Sequence, residues 1–192
     1  MNATIDISNV IITTERLILR PWKESDLPDL YEYASVDGVG QMAGWIPHKS
    51  IEESRQILER FISEKKVFAV EFSGKVIGSL GIEEYSYKEL PEYSDMLGRE
   101  IGYVLSKDYW GRGLMPEAVC AVVKYLFEQV NLDFIACGHF TDNNRSMRVQ
   151  EKCGFKHFKL VKYQTRYGIV KDCWISILDR KTYAQHAYFS KN

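Results

Sequence analysis

Apolar and polar residues alternate with a period of two along RLILRPW, Arg16 to Trp22, and this predicts a strand. The period then changes. In KESDLPDLYEYAS, Leu27, Leu30 and Tyr31 share one helical face behind Ser25 and Asp26, two residues suited to an N-cap, so a short helix is expected. The glycine-rich segment from Asp37 to Trp45 has no period and reads as an irregular, mobile loop. Ser50 opens a second helix, with Glu53 three residues on as a capping box. Ile51, Ile57, Leu58, Phe61 and Ile62 carry its apolar face to Lys65 or Lys66.

Period two returns in VFAVEFSGKVIGSLGIEEYS, two strands turning at Ser73-Gly74. KELPEYSDMLG is a polar loop, and REIGYVLS, Arg99 to Ser106, is another strand. A helix follows to about Gln129, then a strand in DFIACGHF. The helix in DNNRSMRVQEKCGF should stop at Cys153, because Gly154 suits a left-handed terminator. Two last strands, Phe158 to Arg166 and Val170 to Leu178, pair through Tyr167-Gly168. The order is strand, two helices, three strands, helix, strand, helix, two strands. No repeat or linker interrupts it, so residues 1–192 are expected to form one α/β domain, with its core at about 14–180, around a mixed sheet.

Composition narrows the chemistry. The 192 residues suffice for a real core, and a formal net charge of −1 supplies no field toward nucleic acid or an anionic membrane. Neither partner is expected. The basic run Lys152, Lys156, Lys159, Lys162 and Arg166 reads as a solvated strand face. Cys120, Cys137, Cys153 and Cys173 lie far apart in mostly apolar stretches, so they read as buried free thiols, and no metal site is expected. No stretch approaches the roughly 18 apolar residues of a membrane span. The first residues carry no basic charge before Arg16 and do not read as a secretory signal, so the cytoplasm is the expected compartment. A monomer or a homodimer is expected.

Candidate chemistry concentrates in YWGRGLMPEA, Tyr109 to Ala118. A helix start leaves about four N–H groups unpaired and carries a partial positive charge, so anions settle there. Gly111 and Gly113 remove side chains that would hold a phosphate away, and Pro116 fits a first turn. Gly111, Arg112, Gly113, Leu114 and Met115 are therefore candidates to cradle a pyrophosphate, with Arg112 adding charge. A plain tight turn is the competing reading. Neither the P-loop spacing nor the dinucleotide fingerprint is present. A second strand–loop–helix unit follows at Phe134 to Gly154, which places two helix starts beside the ends of neighbouring strands.

These units, TTERLILRPW, EIGYVLSKDYWGRGLMPEA and NNRSMRVQEKCGF in that order, resemble the GNAT superfamily of acetyl-CoA-dependent N-acetyltransferases. Within it the chain resembles the branch of ribosomal-protein N-terminal (serine/alanine) acetyltransferases. The likeness covers about Thr14 to Arg180. The superfamily loop places Gln or Arg, Gly, and Gly or Ala where this chain has Trp110, Gly113 and Met115; Trp110 is usual in the ribosomal-type branch, and Met115 departs from the small residue. The second motif matches at Asn143 and Ser146.

The resemblance implies a largely antiparallel, twisted sheet of about seven strands with helices on both faces, its fourth and fifth strands splayed. It implies acetyl-CoA as cosubstrate, with the pantetheine arm on the edge formed by Tyr103, Val104 and Leu105 and the pyrophosphate at Gly111 to Met115. Trp110 and Asn143 would order the cofactor site, and a strand N–H would meet the acetyl carbonyl. Glu100 is the candidate base, against a simple ion pair with Arg99 or a lysine. Ser146 is the candidate acid for the departing thiolate, against a hydroxyl bonded only to helix backbone. The acceptor is a primary amine attacking directly. An α-amine of pKa near 8 is about a tenth neutral at pH 7, far more than a lysine, which favours a protein N-terminus such as that of a ribosomal protein. The alternatives are a small amine (aminoglycoside, polyamine or amino acid) or a non-catalytic acetyl-CoA-binding sensor. Weaker candidates for the acceptor wall are Tyr31, Met42, Trp45, Asp172 and Trp174, with Glu83 or Glu84 as substitute bases.

Overall fold

Alternation along strand Val67–Phe72 sets the layering. Phe68 and Val70 enter one apolar cluster with Leu17, Leu19 and Val119, while Val67 and Ala69 enter another with Leu27, Leu30 and Leu58. A strand buried on both faces must sit inside a sheet with helices on each side. The structure, a computed structural model, describes residues 1–186. Its strands are β1 (Ile12–Thr13), β2 (Leu17–Pro21), β3 (Val67–Phe72), β4 (Lys75–Glu83), β5 (Gly98–Leu105), β6 (Phe134–Phe140), β7 (Lys156–Gln164) and β8 (Val170–Asp179). The helices are α1 (Leu27–Ala34), α2 (Ile51–Glu64), α3 (Leu114–Glu128), α4 (Asn144–Lys152) and α5 (Arg180–Gln185). The strands form one sheet in the order β1-β2-β3-β4-β5-β6-β8-β7. Every neighbouring pair is antiparallel except β5 with β6.

Local chemistry ends the elements where expected. Ser50 caps α2 by accepting from the Glu53 amide at 3.3 Å, but the Glu53 carboxylate reaches past Ser50 to the Lys49 amide at 2.8 Å. Asp26 precedes α1 and is also half of a buried bidentate pair with Arg20, at 2.8 and 2.9 Å. Cys153 ends α4, and Gly154 takes a φ of +83°. The β7–β8 turn holds Gly168 at φ +85°.

Two elements exceed the sequence expectation. The short β1 makes eight strands rather than seven, and α5 forms because the Asp179 carboxylate accepts from the Thr182 amide at 2.7 Å. The segment expected to be a mobile loop instead contains a short 3-10 turn at Gly40–Ala43, fastened on several sides. Its Gly40 is obligatory, since a Cβ there would lie 2.1 Å from the Trp45 ring.

β5 and β6 pair only from Gly98↔Phe134 to Ile101↔Cys137 and then part. Gln150 of α4, 1% exposed, lies against β6 beside the opening. Its amide nitrogen donates to the Gly138 carbonyl at 3.1 Å, a backbone acceptor beyond the last β5 partner, and its oxygen bonds His139 Nδ1 at 2.9 Å. Satisfying β6 from the helix layer lets β5 keep a free edge.

Candidate active site

A cavity of about 820 Å³ occupies the gap between β5 and β6. Its walls include the α3 start, the α4 start, the floor of the sheet, β7 and the segment around Met42.

Gly111 and Gly113 hold φ values of +77° and +75°, a left-handed backbone that disfavours any side chain. Both line the cavity, and among the described residues a Cβ on Gly111 would meet nothing within 4 Å. Leu114 and Met115 are the first two residues of α3, whose N–H groups have no intrahelical partner. Their side chains are buried in the core, so Met115 does not crowd the backbone it belongs to. Glu117 fastens this helix start: its carboxylate accepts from the Thr14 hydroxyl at 2.5 Å, the Arg16 amide at 2.9 Å and Arg16 Nε at 2.7 Å. Burial would raise its pKa, but these donors outweigh burial and hold it below the usual value.

Arg112 is not where its charge was expected. Its guanidinium lies over the Phe72 and Tyr109 rings, 5.0 and 5.3 Å from their centroids, and its side chain does not line the cavity. Among the described residues the cations that do are Arg145, Arg148 and Lys152 of α4 and Lys162 of β7, and the two arginines stand on the first turns of α4. Arg145 stacks 4.4 Å from the Trp110 ring centroid, and Trp110 Nε1 donates to the Leu105 carbonyl at 2.8 Å. Trp110 thus braces the end of β5 against the loop and the arginine.

At the α4 start, Asn143 Oδ1 accepts from the Ser146 amide at 3.1 Å, an N-cap, while its Nδ2 donates to the Met42 carbonyl at 3.3 Å. Arg166 N–H donates to the Gly44 carbonyl at 2.9 Å and Tyr167 Oη to the Gln41 carbonyl at 3.3 Å. Together these bonds hold the Gly40–Ala43 turn as a roof, and Met42 lines the cavity beneath it. Ser146 Oγ lies 2.9 Å from Tyr103 Oη. Burial, then the neighbouring Cys137, pushes the Tyr103 phenol well up, so it stays protonated.

The floor is bare. Gly81 pairs with Gly102 across β4 and β5, and Gly138 stands on β6 one residue past the last β5 pair. Beside them Glu100 lines the cavity, its Oε1 3.6 Å from where a Gly138 Cβ would stand. Burial, then the charge of Glu83, pushes its pKa up to about 7. The ion pair considered for it does not form: Arg99 Nε donates to the Ala3 carbonyl at 2.6 Å, and Arg99 faces Glu84 at 3.9 Å.

Of the predicted residues, the structure brings Glu100, Tyr103, Val104, Leu105, Trp110, Gly111, Gly113, Leu114, Met115, Asn143 and Ser146 around one cavity. Tyr31, Trp45, Asp172 and Trp174 do not line it. Trp174 stacks on His157 with centroids 4.8 Å apart, and Asp172 pairs with Lys162 at 2.7 Å. Sequence reasoning missed Arg145, Arg148, Gln150 and the Tyr103 hydroxyl. The arginines did leave a signal, a three-residue spacing that puts both on one helical face.

Acetyl-CoA fits what is present. The left-handed glycines leave room for a phosphate, unpaired helix-start amides and two arginines supply positive potential, and β5 keeps an open edge beyond Ile101.

Comparison with known proteins agrees. The family model described as an acetyltransferase (GNAT) domain matches residues 16–156. The chain is 29% identical over 170 residues to YoaA of Bacillus subtilis, an uncharacterized N-acetyltransferase, covering 84% of this chain and 92% of that protein. A GNAT-family acetyltransferase from Bacillus anthracis superposes with a TM-score of 0.78 at 22% identity, over 90% of this chain and 99% of that one. The enzyme AAC(6')-Ib, solved in complex with ribostamycin and coenzyme A, superposes with a TM-score of 0.69 at 21% identity, over 90% and 98%. The order of the strands, the parting of β5 from β6 and the family match lead to one conclusion: this chain belongs to the GNAT acetyltransferase family and is an N-acetyltransferase.

Proposed function

We propose that the enzyme transfers the acetyl group of acetyl-CoA directly to a primary amine, and that the acceptor is the α-amine of a protein N-terminus, with ribosomal proteins among the candidates. One observation carries most weight: a single cavity joins the α3 and α4 starts to a carboxyl whose pKa stands at about 7. Gly111, Gly113 and the amides of Leu114 and Met115 would hold the pyrophosphate, assisted by Arg145 and Arg148. The edge at Tyr103, Val104 and Leu105 would align the pantetheine arm. Acetyl-CoA, once bound, supplies a thioester carbon open to attack by nitrogen.

The chain's own residues manage the protons. Glu100 accepts the proton that the acceptor ammonium must lose. An α-ammonium of pKa near 8 lies about one unit above Glu100, whereas a lysine lies more than three above it, so the α-amine gives up its proton more readily here. At the other end, Ser146 Oγ, backed by Tyr103 Oη at 2.9 Å, holds a proton near the α4 start for the departing sulfur. The Gly40–Ala43 roof covers part of the cavity through Met42 and Ala43.

A specific observation supports a second acceptor class. Glu83 and Glu89 line the cavity together with Glu100, an acidic wall that suits a small polycation such as an aminoglycoside or a polyamine. The test combines calorimetric CoA binding with coloured detection of released thiol. The panel holds peptides with free N-termini, the same peptides blocked at the N-terminus but containing lysine, aminoglycosides and polyamines. Thiol release with free but not blocked peptides is expected. Turnover only with the small amines would replace the first reading by the second, and CoA binding without any turnover would leave the sensor.

A further inference from the structure

Two carboxylates stand side by side where sheet packing gives no reason for them. Glu83 of β4 and Glu100 of β5 are direct cross-strand partners, and both line the cavity. Directly opposed residues place their Cβ atoms about 5 Å apart, and like charges so placed destabilise a sheet. The neighbouring glycines leave space around both side chains. A Cβ on Gly81 would lie 3.1 Å from Glu83 Oε1, and one on Gly138 3.6 Å from Glu100 Oε1.

Glu83 does not face Glu100 unshielded. Lys66 Nζ lies 2.7 Å from Glu83 Oε2 and 3.2 Å from Glu64 Oε2. Lys66 is fixed just ahead of β3, where its carbonyl accepts from the Ile82 amide at 2.9 Å. A row of charges thus runs from the surface into the cavity: lysine, glutamate, glutamate. The other titratable groups acting with Glu100 are Tyr163 of β7, Cys173 of β8 and Cys137 of β6, each pushed up by burial first and so neutral near pH 7. Lys162, which also lines the cavity, is engaged by Asp172.

We infer that Glu83 is a positioning residue for the proton held at Glu100, and that Lys66 sets how strongly it acts. The catalytic importance of this rests on Glu100 being the proton acceptor proposed above; the electrostatic coupling stands apart from it. A charged Glu83 favours the protonated form of Glu100, and Lys66 weakens that influence by neutralising its neighbour. Removing Glu83 and removing Lys66 must therefore act in opposite directions, which a loss of packing alone would not produce.

The experiment is an NMR titration of carboxyl-labelled glutamates in the full chain, with the Glu100 resonance assigned by its disappearance in Glu100→Gln. Glu83→Gln is expected to lower the Glu100 midpoint by about half to one pH unit, and Lys66→Met to raise it by a similar amount. CoA affinity, measured alongside, reports that each variant is folded. The acid limb of kcat/KM should move with each midpoint. If the resonance shifts but the limb does not, the coupling is established and the assignment of Glu100 as proton acceptor fails. A midpoint unmoved in both variants, or moved the same way by both, overturns the inference.

Discussion

Replacing Glu100 by glutamine removes one buried ionisation and should make the protein more stable as it makes it less active. The folded pKa of about 7 stands above the 4.5 of an unperturbed glutamate. Between those values the folded chain holds a proton that the unfolded chain has released. Stability therefore falls as pH rises through this window, with a slope approaching about 1.4 kcal/mol per pH unit. The contribution is fully present below pH 4.5 and lost above about 7, where the ionised side chain costs the fold about 3 kcal/mol. The amide in Glu100→Gln cannot ionise, so the variant is exempt from this loss. Thermal unfolding of both proteins from pH 4.5 to 8 should show the variant gaining roughly 5–10 °C on the native protein across the range. In the same variant, kcat/KM should fall by about 10²-fold or more and lose its limb near pH 7, keeping only the limb near 8 that belongs to an α-amine acceptor. Parallel melting curves at every pH would show that Glu100 titrates as an ordinary exposed glutamate, and the proposed base would lose its physical footing.

Gly113→Glu should abolish CoA binding by calorimetry, because it puts a side chain and a negative charge where the anion would rest; far-UV circular dichroism should stay native, since the left-handed φ of +75° costs a side chain about 1–2 kcal/mol and, among the described residues, a Cβ there has only Arg16 Nη2 nearby, at 3.6 Å. Unchanged affinity would refute the cradle. Glu117→Ala should lower the melting temperature by roughly 4–8 °C near pH 7, corresponding to about 2 kcal/mol of charge-assisted hydrogen bonds. Because Glu117 is held below its usual pKa of 4.5, its contribution is present above that value and is lost as pH falls through the depressed pKa. The gap between native and variant should accordingly close in acid, and a gap independent of pH would count against the Thr14–Arg16–Glu117 cluster as its source.

Much of the site was legible because it rests on local rules. Glycines before an apolar helix and an asparagine three residues ahead of a serine each report a helix start, and a helix start carries its chemistry in its own backbone. Met115 looked too large for its loop position, yet its side chain faces the core, a choice made by burial rather than by the motif. Arg112 is the reverse case: its position in the loop suggested a phosphate contact, while two aromatic rings from β3 and the approach to α3 take the guanidinium. The roof was read as a free loop because its partners, Asn143, Arg166 and Tyr167, lie more than a hundred residues away along the chain.

Periodicity, caps and turn residues were enough to determine where strands and helices lie, that they form an α/β sheet, and which two helix starts border the cavity, since each element depends on neighbours within a few positions. Only the assembled fold decided the register that sets Glu83 against Glu100, the Gln150 side chain that satisfies β6 where β5 leaves it, and the arginines that face the cavity. Those features depend on which distant segments are pressed together. The low polarity of the resulting interior then turns an ordinary glutamate into a group that titrates near neutral pH.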